Sequence, residues 1–345
     1  MFYFIHRLDE WLRSSFVQLF ILVGLILLVW GTLAPVGTLI WWLNQSQKSL
    51  KWQNWQTMSP YAGDGSNSTE ASISCYIVYL PGVGDASANQ LTRGEEWFLD
   101  QLVQQHPDCV SVRDVFPYSA GNEDLVGERF LSPLWRAAIN ADGWLQEADI
   151  LIKIRNLWRF AISADDRYGP VYGQGVADAI LDRMNVASPI SETNQKSLKV
   201  ILIGTSGGVQ VALGAAPHLN NWLHNPELYV ISAGGDFDGG AGFDSIDQMY
   251  HLEGKRDWVE DVSTVVFPAR WWWTFGSPFN RARQQNRFLA MSSGPHTHDG
   301  EEGYFGLAIA EPQNTTYVAL TLQVVNQLPL WSNTGSGSAN GSSPN

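Results

Sequence analysis

A serine in a glycine-rich turn is the feature of this sequence best suited to chemistry. The pentapeptide Gly204-Thr205-Ser206-Gly207-Gly208 directly follows the apolar run 199–203 and precedes a helix-like segment, 209–216. A G-x-S-x-G turn between a strand and a helix needs small flanking residues, because the backbone bends too sharply there for side chains. The bend lifts the serine hydroxyl into a cleft, so the pattern predicts Ser206 as a nucleophile.

Other segments supply the groups that an acyl-transfer serine needs, namely a base to take its proton and an acid to orient that base. The segment 250–259 contains Asp257, and the segment 293–300 contains His296 and His298. Earlier in the chain, an apolar run ends in Pro81-Gly82-Val83-Gly84. In this order along the chain, these segments and the serine turn resemble the α/β-hydrolase family.

The resemblance implies a Ser-His-Asp triad. In that family the acid follows the second strand after the serine turn, where a glycine closes the strand and an aspartate comes shortly afterwards, and Asp257 matches this pattern. The base lies on a loop after the last strand, just ahead of a Gly-aromatic start of the final helix, which favours His298 over His296. Asp236 and Asp238, after the preceding strand, are the alternative acids.

The resemblance also implies an oxyanion hole made of two backbone N–H groups. One belongs to the residue after the nucleophile, Gly207, and the other to the loop after the early strand, where Val83 fits and Gly84 is the alternative. The family often has His-Gly in that loop, whereas this chain has Pro81-Gly82, which keeps the turn and removes a side-chain donor. No metal or organic cofactor is implied.

The resemblance therefore implies a serine hydrolase that cleaves a carboxylic ester through an acyl-enzyme. Residues 271–273 are three consecutive tryptophans, and Phe275 and Phe279 follow them. Together with the apolar N-terminal segment described below, they suggest a small-molecule or lipid-like ester as the substrate. Equally, these tryptophans could form core or a bilayer-contact surface. A peptidase or a thioesterase would use the same groups.

Other functions fit parts of the sequence. The serine turn and Asp238-Gly239-Gly240 also resemble the nucleophile turn and the acid motif of patatin-like lipases, in which a Ser-Asp pair acts without a histidine. A hydrolase-fold protein that binds or scaffolds without catalysis is a further alternative, because fold does not guarantee activity. A nucleotide-binding Rossmann turn fits less well, since its glycine loop should open the domain and here two predicted strands come first.

Composition restricts the class of partner. The chain of 345 residues has a formal net charge of −13 and only 21 Lys and Arg residues. Nucleic acid is excluded as a partner because binding its phosphates needs clustered Lys and Arg.

The two cysteines, Cys75 and Cys109, lie in predicted strands that could be neighbours, and we expect buried free thiols rather than a disulfide.

Apolar runs that alternate with helix-like stretches predict the fold class. Six runs without a helical period predict strands, at 73–80, 109–116, 199–203, 228–232, 246–252 and 287–292. Helices are predicted at about 87–105 and 168–184, among others. This alternation indicates an α/β fold with a mainly parallel sheet flanked by helices. The aromatic-rich stretch 119–167 is too long for a plain loop and predicts either a helical cap over the cleft or ordinary peripheral helices.

An uncharged stretch precedes this domain. Residues 16–43 carry no charge and are long enough to cross a hydrocarbon core, so they predict one N-terminal transmembrane helix that anchors the protein in a membrane. Two basic residues lie on each side, so the side of the membrane that holds the domain stays open. The predicted organisation is a flank at 1–15, the transmembrane helix at 16–43, a polar linker at 44–70, a hydrolase domain at 71–330 and a disordered tail at 331–345.

Overall fold

The computed structural model describes residues 73, 75–83, 90–118, 156–190 and 198–331. All of them belong to the second of the two units into which the chain divides, Ser66–Leu125 with Leu134–Asn345. The predicted transmembrane helix, the linker, most of the predicted cap and the tail lie outside the described residues. Among the residues that are described, no helix has the length and apolar character needed to span a bilayer.

A six-stranded sheet forms the centre of the fold, and every pair of neighbouring strands in it is parallel. The order across the sheet is β2-β1-β3-β4-β5-β6. Its strands are β1 Cys75–Leu80, β2 Cys109–Val112, β3 Lys199–Thr205, β4 Glu227–Ala233, β5 Gln248–Gly254 and β6 Phe288–Gly294. Every residue of β1 is buried, as expected for an inner strand covered on both faces. The predicted α/β class with a mainly parallel sheet is confirmed.

Helices cover both faces of the sheet. Those with both ends in the described residues are α1 Arg93–Gln105, α2 Gly169–Ala187, α3 Gly208–Trp222, α4 Val259–Val266, α5 Pro278–Gln284 and α6 Tyr317–Asn326, and residues 156–163 are helical as well. Successive side chains of a strand point to opposite faces. On one face Ile77 and Tyr79 pack with Phe98 of α1 and Val318 of α6. The α2 and α3 helices pack together against β1 and contribute no residue to that cluster, so they cover the opposite face of the sheet.

Two element boundaries differ from the prediction by four residues or more. The first helix begins at Arg93 instead of residue 87, because Thr92 caps it: the Thr92 hydroxyl accepts a bond from the Glu95 amide, and the Glu95 carboxylate accepts one from the Thr92 amide. The β2 strand ends at Val112 instead of residue 116. Its pairing with β1 stops there, and the chain turns towards the end of β3, where the Tyr118 hydroxyl donates to the carbonyl of Gly207.

The strand order reverses between β1 and β3. From β1 the chain moves outward to β2 and then returns to β3 on the opposite side of β1. The loops that leave β1 and β3 therefore diverge at the carboxyl edge of the sheet, where open parallel sheets form a crevice that binds ligands. The loop that begins with Pro81 and the turn at Ser206 both lie at this point.

A disulfide joins Cys75 and Cys109, so the expectation of two free thiols is wrong. The two residues begin β1 and β2 and lie directly opposite each other in the parallel register, with Cα atoms 4.3 Å apart. The sequence indicated that the strands could be neighbours but did not define the register that brings the two sulfurs together. The bond lies at the amino ends of the strands, away from the carboxyl edge that carries Ser206.

Candidate active site

Ser206 occupies a sharp turn between β3 and α3. Its φ of 47° is in the left-handed region, which residues other than glycine seldom adopt. Two glycines make the turn sterically possible. A Cβ on Gly204 would lie 2.8 Å from the amide nitrogen of Val209, and one on Gly208 would lie 2.1 Å from the carbonyl oxygen of Leu80. The motif therefore has the backbone that the sequence predicted for it.

Gly208→Ala is expected to lower the free energy of unfolding by about 3 kcal/mol or more, because β1 and α3 must separate to admit the methyl group. Gly214→Ala in the same helix is the matched control. A Cβ at Gly214 would lie 3.7 Å from its nearest neighbour, so this change should be neutral or stabilising by about 0.5 kcal/mol. Denaturant unfolding of both variants measures the difference, and equal stabilities would contradict the tight contact of α3 with β1.

A histidine and an aspartate complete a hydrogen-bonded row with this serine. The Ser206 hydroxyl lies 3.0 Å from Nε2 of His298. The Nδ1 atom of His298 lies 3.0 Å from each carboxylate oxygen of Asp257. Because β3, β5 and β6 are parallel, the loops that follow them meet at one edge of the sheet, and each loop contributes one of the three residues.

Asp257 is held by its own loop and by a tyrosine. Its Oδ1 accepts a bond of 3.0 Å from the Val259 amide, and its Oδ2 accepts one of 3.0 Å from the Tyr304 hydroxyl. That hydroxyl accepts a bond of 2.8 Å from the Gly254 amide. A Cβ at Gly234 would come within 2.5 Å of the Asp257 carboxylate, so only glycine fits beneath the acid. The carboxylate is therefore fixed in position and orientation.

Asp257 and His298 shift each other's pKa in the direction that favours the charged form of each. Burial alone would lower the pKa of His298, but the hydrogen bond and negative charge of Asp257 outweigh it, and the pKa is raised above the usual 6.5. Burial likewise favours the neutral form of Asp257, but its bonds to His298 and Tyr304 lower its pKa below 3.8. Near neutral pH the acid is therefore a carboxylate. It accepts the Nδ1–H bond, which leaves Nε2 free to accept the serine proton.

The pH dependence follows from the raised pKa of His298. A general base acts in its neutral form, so kcat/KM of a reaction in which His298 deprotonates Ser206 should fall with decreasing pH, with a midpoint above 6.5. In Asp257→Asn the carboxylate that raises the pKa is gone. The midpoint should move to lower pH, and the rate should fall by about 10⁴-fold because the imidazole loses its orienting acceptor. A midpoint that does not move would contradict the assignment of Asp257.

His296 lies behind the site and does not face Ser206. It is completely buried and stacks on the ring of Tyr304, with ring centroids 5.0 Å apart. Its Nε2 donates to the carbonyl of Ser293 over 2.9 Å, and burial lowers its pKa. The structure thus brings His298 to the serine. The tripeptide Gly303-Tyr304-Phe305, however, does not begin the final helix as predicted, because α6 starts at Tyr317.

The two alternative acids have different positions. The Oδ2 atom of Asp236 lies 3.4 Å from the Ser206 hydroxyl, and burial raises the pKa of this carboxyl group. It contacts the serine directly and is not bonded to the histidine, so it does not occupy the orienting position. Asp238 accepts a bond of 2.7 Å from the Gly240 amide in its own loop. Among the described hydrogen bonds, none joins Asp238 to Ser206, as the Ser-Asp pair of the patatin-like alternative would require.

The predicted oxyanion-hole residues lie beside the serine. A Cβ at Gly82 would lie 2.9 Å from Cβ of Ser206, and a Cβ at Gly207 would lie 2.9 Å from Cγ1 of Val83. The Val83 carbonyl accepts a bond of 3.0 Å from the Asn156 side chain, which fixes this loop. The structure thus brings Val83 and Gly207 together next to Ser206, whereas Gly84 lies outside the described residues.

Neither a known protein family, nor a curated protein, nor a solved structure matches this chain. What the site can do is therefore judged from its geometry. A serine hydroxyl bonded to an imidazole, which is oriented by a buried carboxylate, is the arrangement that removes a proton from a nucleophile during acyl transfer.

One group of side chains in the described part of the chain has the spacing of metal ligands. His251, Glu253 and Glu260 each offer an atom within 4.8 Å of the others. The two ring nitrogens of His251 already have partners, since Nδ1 lies 2.7 Å from the Ser232 hydroxyl and Nε2 lies 2.6 Å from Glu260. The group therefore joins β4, β5 and α4 through hydrogen bonds, and nothing in it points to a bound cation.

Sequence reasoning did not identify the residues that support the site. Tyr304 holds the acid, Asn156 holds the oxyanion loop, and Tyr118 bonds to the carbonyl of Gly207. Each contact joins residues at least 47 positions apart, so no local pattern marks it. The one available signal was the position of Tyr304 shortly after the two candidate histidines.

Proposed function

We propose that this protein is a membrane-anchored serine hydrolase that cleaves carboxylic esters through an acyl-enzyme. The observation that carries the proposal is the unbroken row from the Asp257 carboxylate through His298 to the Ser206 hydroxyl, with all three links at 3.0 Å. The membrane anchor is the predicted helix 16–43. The α/β-hydrolase assignment draws support from the parallel sheet, in which the acid follows the second strand after the serine turn and the base follows the last strand of that sheet.

The mechanism follows from the bonding of the three residues. As the Ser206 oxygen attacks the ester carbonyl carbon, His298 Nε2 takes its proton, and the imidazolium that forms is stabilised by Asp257. The amides of Gly207 and Val83 donate to the oxyanion of the tetrahedral intermediate. His298 then gives its proton to the departing alkoxide. In the second half of the reaction it activates a water molecule that releases the acid and restores the serine.

Apolar side chains beside the nucleophile favour an acyl chain as the substrate group. A Cβ at Gly207 would lie 2.9 Å from the ring of Phe160, so this ring lies against the serine turn. Phe160 meets Phe267 edge to face, with ring centroids 5.9 Å apart. These two rings form an apolar wall beside the serine turn, which suits the acyl chain of a lipid-like ester.

Labelling with a fluorophosphonate tests the proposal, because this reagent reacts with activated serines. The full-length protein should carry one adduct, and peptide mass spectrometry should locate it on Ser206. A panel of esters with increasing acyl length should then show rates that rise with chain length. Absence of an adduct would favour the hydrolase-fold protein without catalysis, and rates independent of chain length would overturn the lipid-like substrate.

A further inference from the structure

An exposed apolar surface extends over α4 and the loop that follows it. Its members are the large apolar side chains of residues 258–275 that solvent reaches, and we call it the tryptophan surface. They are Trp258, Val262, Val265, Val266, Trp272, Trp273 and Phe275. Trp272 is 69% exposed, and the hydrophobic effect opposes leaving so large a ring in water. Concentrations of exposed apolar side chains of this kind mark interaction sites.

Hydrogen bonds fix the loop 267–277, which carries Trp272, Trp273 and Phe275 of the tryptophan surface. The buried side chain of Asn280 donates through Nδ2 to the carbonyls of Trp271 and Thr274, each over 2.8 Å. The Thr274 hydroxyl donates to the carbonyl of Pro268 over 2.7 Å, and the indole N–H of Trp271 donates to that of Val265 over 3.2 Å. The exposed rings of Trp272 and Trp273 therefore lie on a loop with a hydrogen-bonded backbone.

The charge around the tryptophan surface has the opposite sign to that of the whole chain. Residues 255–287 contain six basic and three acidic residues, although the chain carries a net charge of −13. One of the acids, Asp257, is buried against His298, and another, Glu260, is bonded to His251.

Of the six basic residues, Arg256 and Arg281 are paired with Glu302 and Asp244 outside the segment, and Arg270 is buried. Lys255 and Arg283 are exposed, and the ion pairs described for this part of the chain include neither of them. With Asp261 as the exposed acid of the segment, the small excess of exposed positive charge favours contact with anionic groups.

The tryptophan surface continues directly into the candidate active site. Trp258 directly follows Asp257 in the chain and is the N-cap of α4, which begins at Val259. At the other end of α4, Phe267 contacts Phe160, which lies against the serine turn. A partner bound to this surface would thus lie at one end of the apolar wall beside Ser206.

We propose that the tryptophan surface inserts into the interface of an anionic lipid bilayer. Tryptophan prefers the boundary between headgroups and acyl chains, and neighbouring basic residues add attraction to anionic lipids. The transmembrane helix predicted at 16–43 would bring the domain to a bilayer. The proposal therefore rests on the membrane anchor of the proposed function and not on its catalysis.

A single introduced cysteine tests the contact, because both native cysteines are paired in a disulfide. Val265→Cys and the matched control Val186→Cys replace exposed valines at the carboxyl ends of α4 and α2, which are 71% and 77% exposed. Each full-length variant is labelled with an environment-sensitive dye. It is then reconstituted into vesicles of phosphatidylcholine with phosphatidylglycerol, or of phosphatidylcholine alone, with or without brominated acyl chains.

Emission from the label at position 265 should rise about twofold or more, because the dye moves into the acyl boundary, and brominated lipid should quench it. Quenching should be stronger with phosphatidylglycerol, absent at position 186, and lost when Trp272→Glu and Trp273→Glu are combined. Labels that behave alike would overturn the proposal. A signal that ignores brominated lipid and grows with protein density would also overturn it, by showing a second copy on the surface. Equal quenching in both lipids would overturn the preference for anionic lipid.

Discussion

Ser206→Ala is expected to lower kcat/KM for ester hydrolysis by about 10⁶-fold and to abolish labelling by a fluorophosphonate. The alanine removes the oxygen that forms the acyl-enzyme, while the rest of the site and its turn remain. A loss of this size arises because the base and the acid contribute to the rate only through the nucleophile. Removing the serine therefore lowers the rate nearly as much as removing the whole triad.

The control for this change is Ser292→Ala, which removes an exposed serine hydroxyl from β6. Surface substitutions of this kind have small effects, so its activity should stay within about twofold of the parent. Steady-state rates and unfolding curves of both variants separate loss of chemistry from loss of fold. If Ser206→Ala kept a tenth of the activity, the acyl-enzyme mechanism would be wrong.

His298→Ala should reduce kcat/KM by about 10⁶-fold, because the ring works as the base and its loss removes proton transfer. It should lower stability less than the change at His296 does, because the Val259 amide and the Tyr304 hydroxyl still hold Asp257. His296→Ala, two positions earlier, should affect mainly stability. That ring is completely buried against Tyr304 and donates to the Ser293 carbonyl, so its removal leaves a cavity and an unpaired acceptor. We expect a loss of roughly 2 to 4 kcal/mol in unfolding free energy and at most about tenfold in rate.

Measuring kcat/KM and denaturant unfolding tests both variants. We expect the larger loss of rate in His298→Ala and the larger loss of stability in His296→Ala, a pattern that a general loss of structure cannot produce. If His296→Ala lost more activity than His298→Ala at a temperature where both are folded, the assignment of the base would be reversed. A loss of stability in His298→Ala comparable to that in His296→Ala would show that the site residue is needed for the fold.

The serine turn was predictable because its geometry is local. Small residues on both sides of Ser206 and the apolar strand before it are enough to define the bend, and the crowding at Gly204 and Gly208 explains why glycine stands at both positions. Asp257 and His298 were singled out by the resemblance to the α/β-hydrolase family. That they lie near Ser206 follows from the sheet, because parallel strands deliver their following loops to one edge.

The support of the site was not predictable because it depends on contacts between distant segments. Tyr304 reaches an acid 47 positions away, and the disulfide depends on a strand register that neither strand specifies alone. Asp236 shows the same limit: the sequence put it forward as an alternative orienting acid, whereas packing puts it 3.4 Å from the serine hydroxyl. Such contacts follow from the assembled sheet and from no pattern along the chain.

The order of the elements also sets when the site can exist during synthesis. Ser206 and its turn precede the base by 92 residues, and Tyr304, which steadies the acid, is itself fastened by a bond of 2.7 Å from the Thr321 hydroxyl in α6. At the 5–20 residues per second of translation, the ribosome needs roughly 5 to 20 s to pass from the serine to the histidine. The row of Ser206, His298 and Asp257 therefore cannot be completed in the nascent chain until α6 has emerged, and we expect incomplete chains to lack the proposed activity.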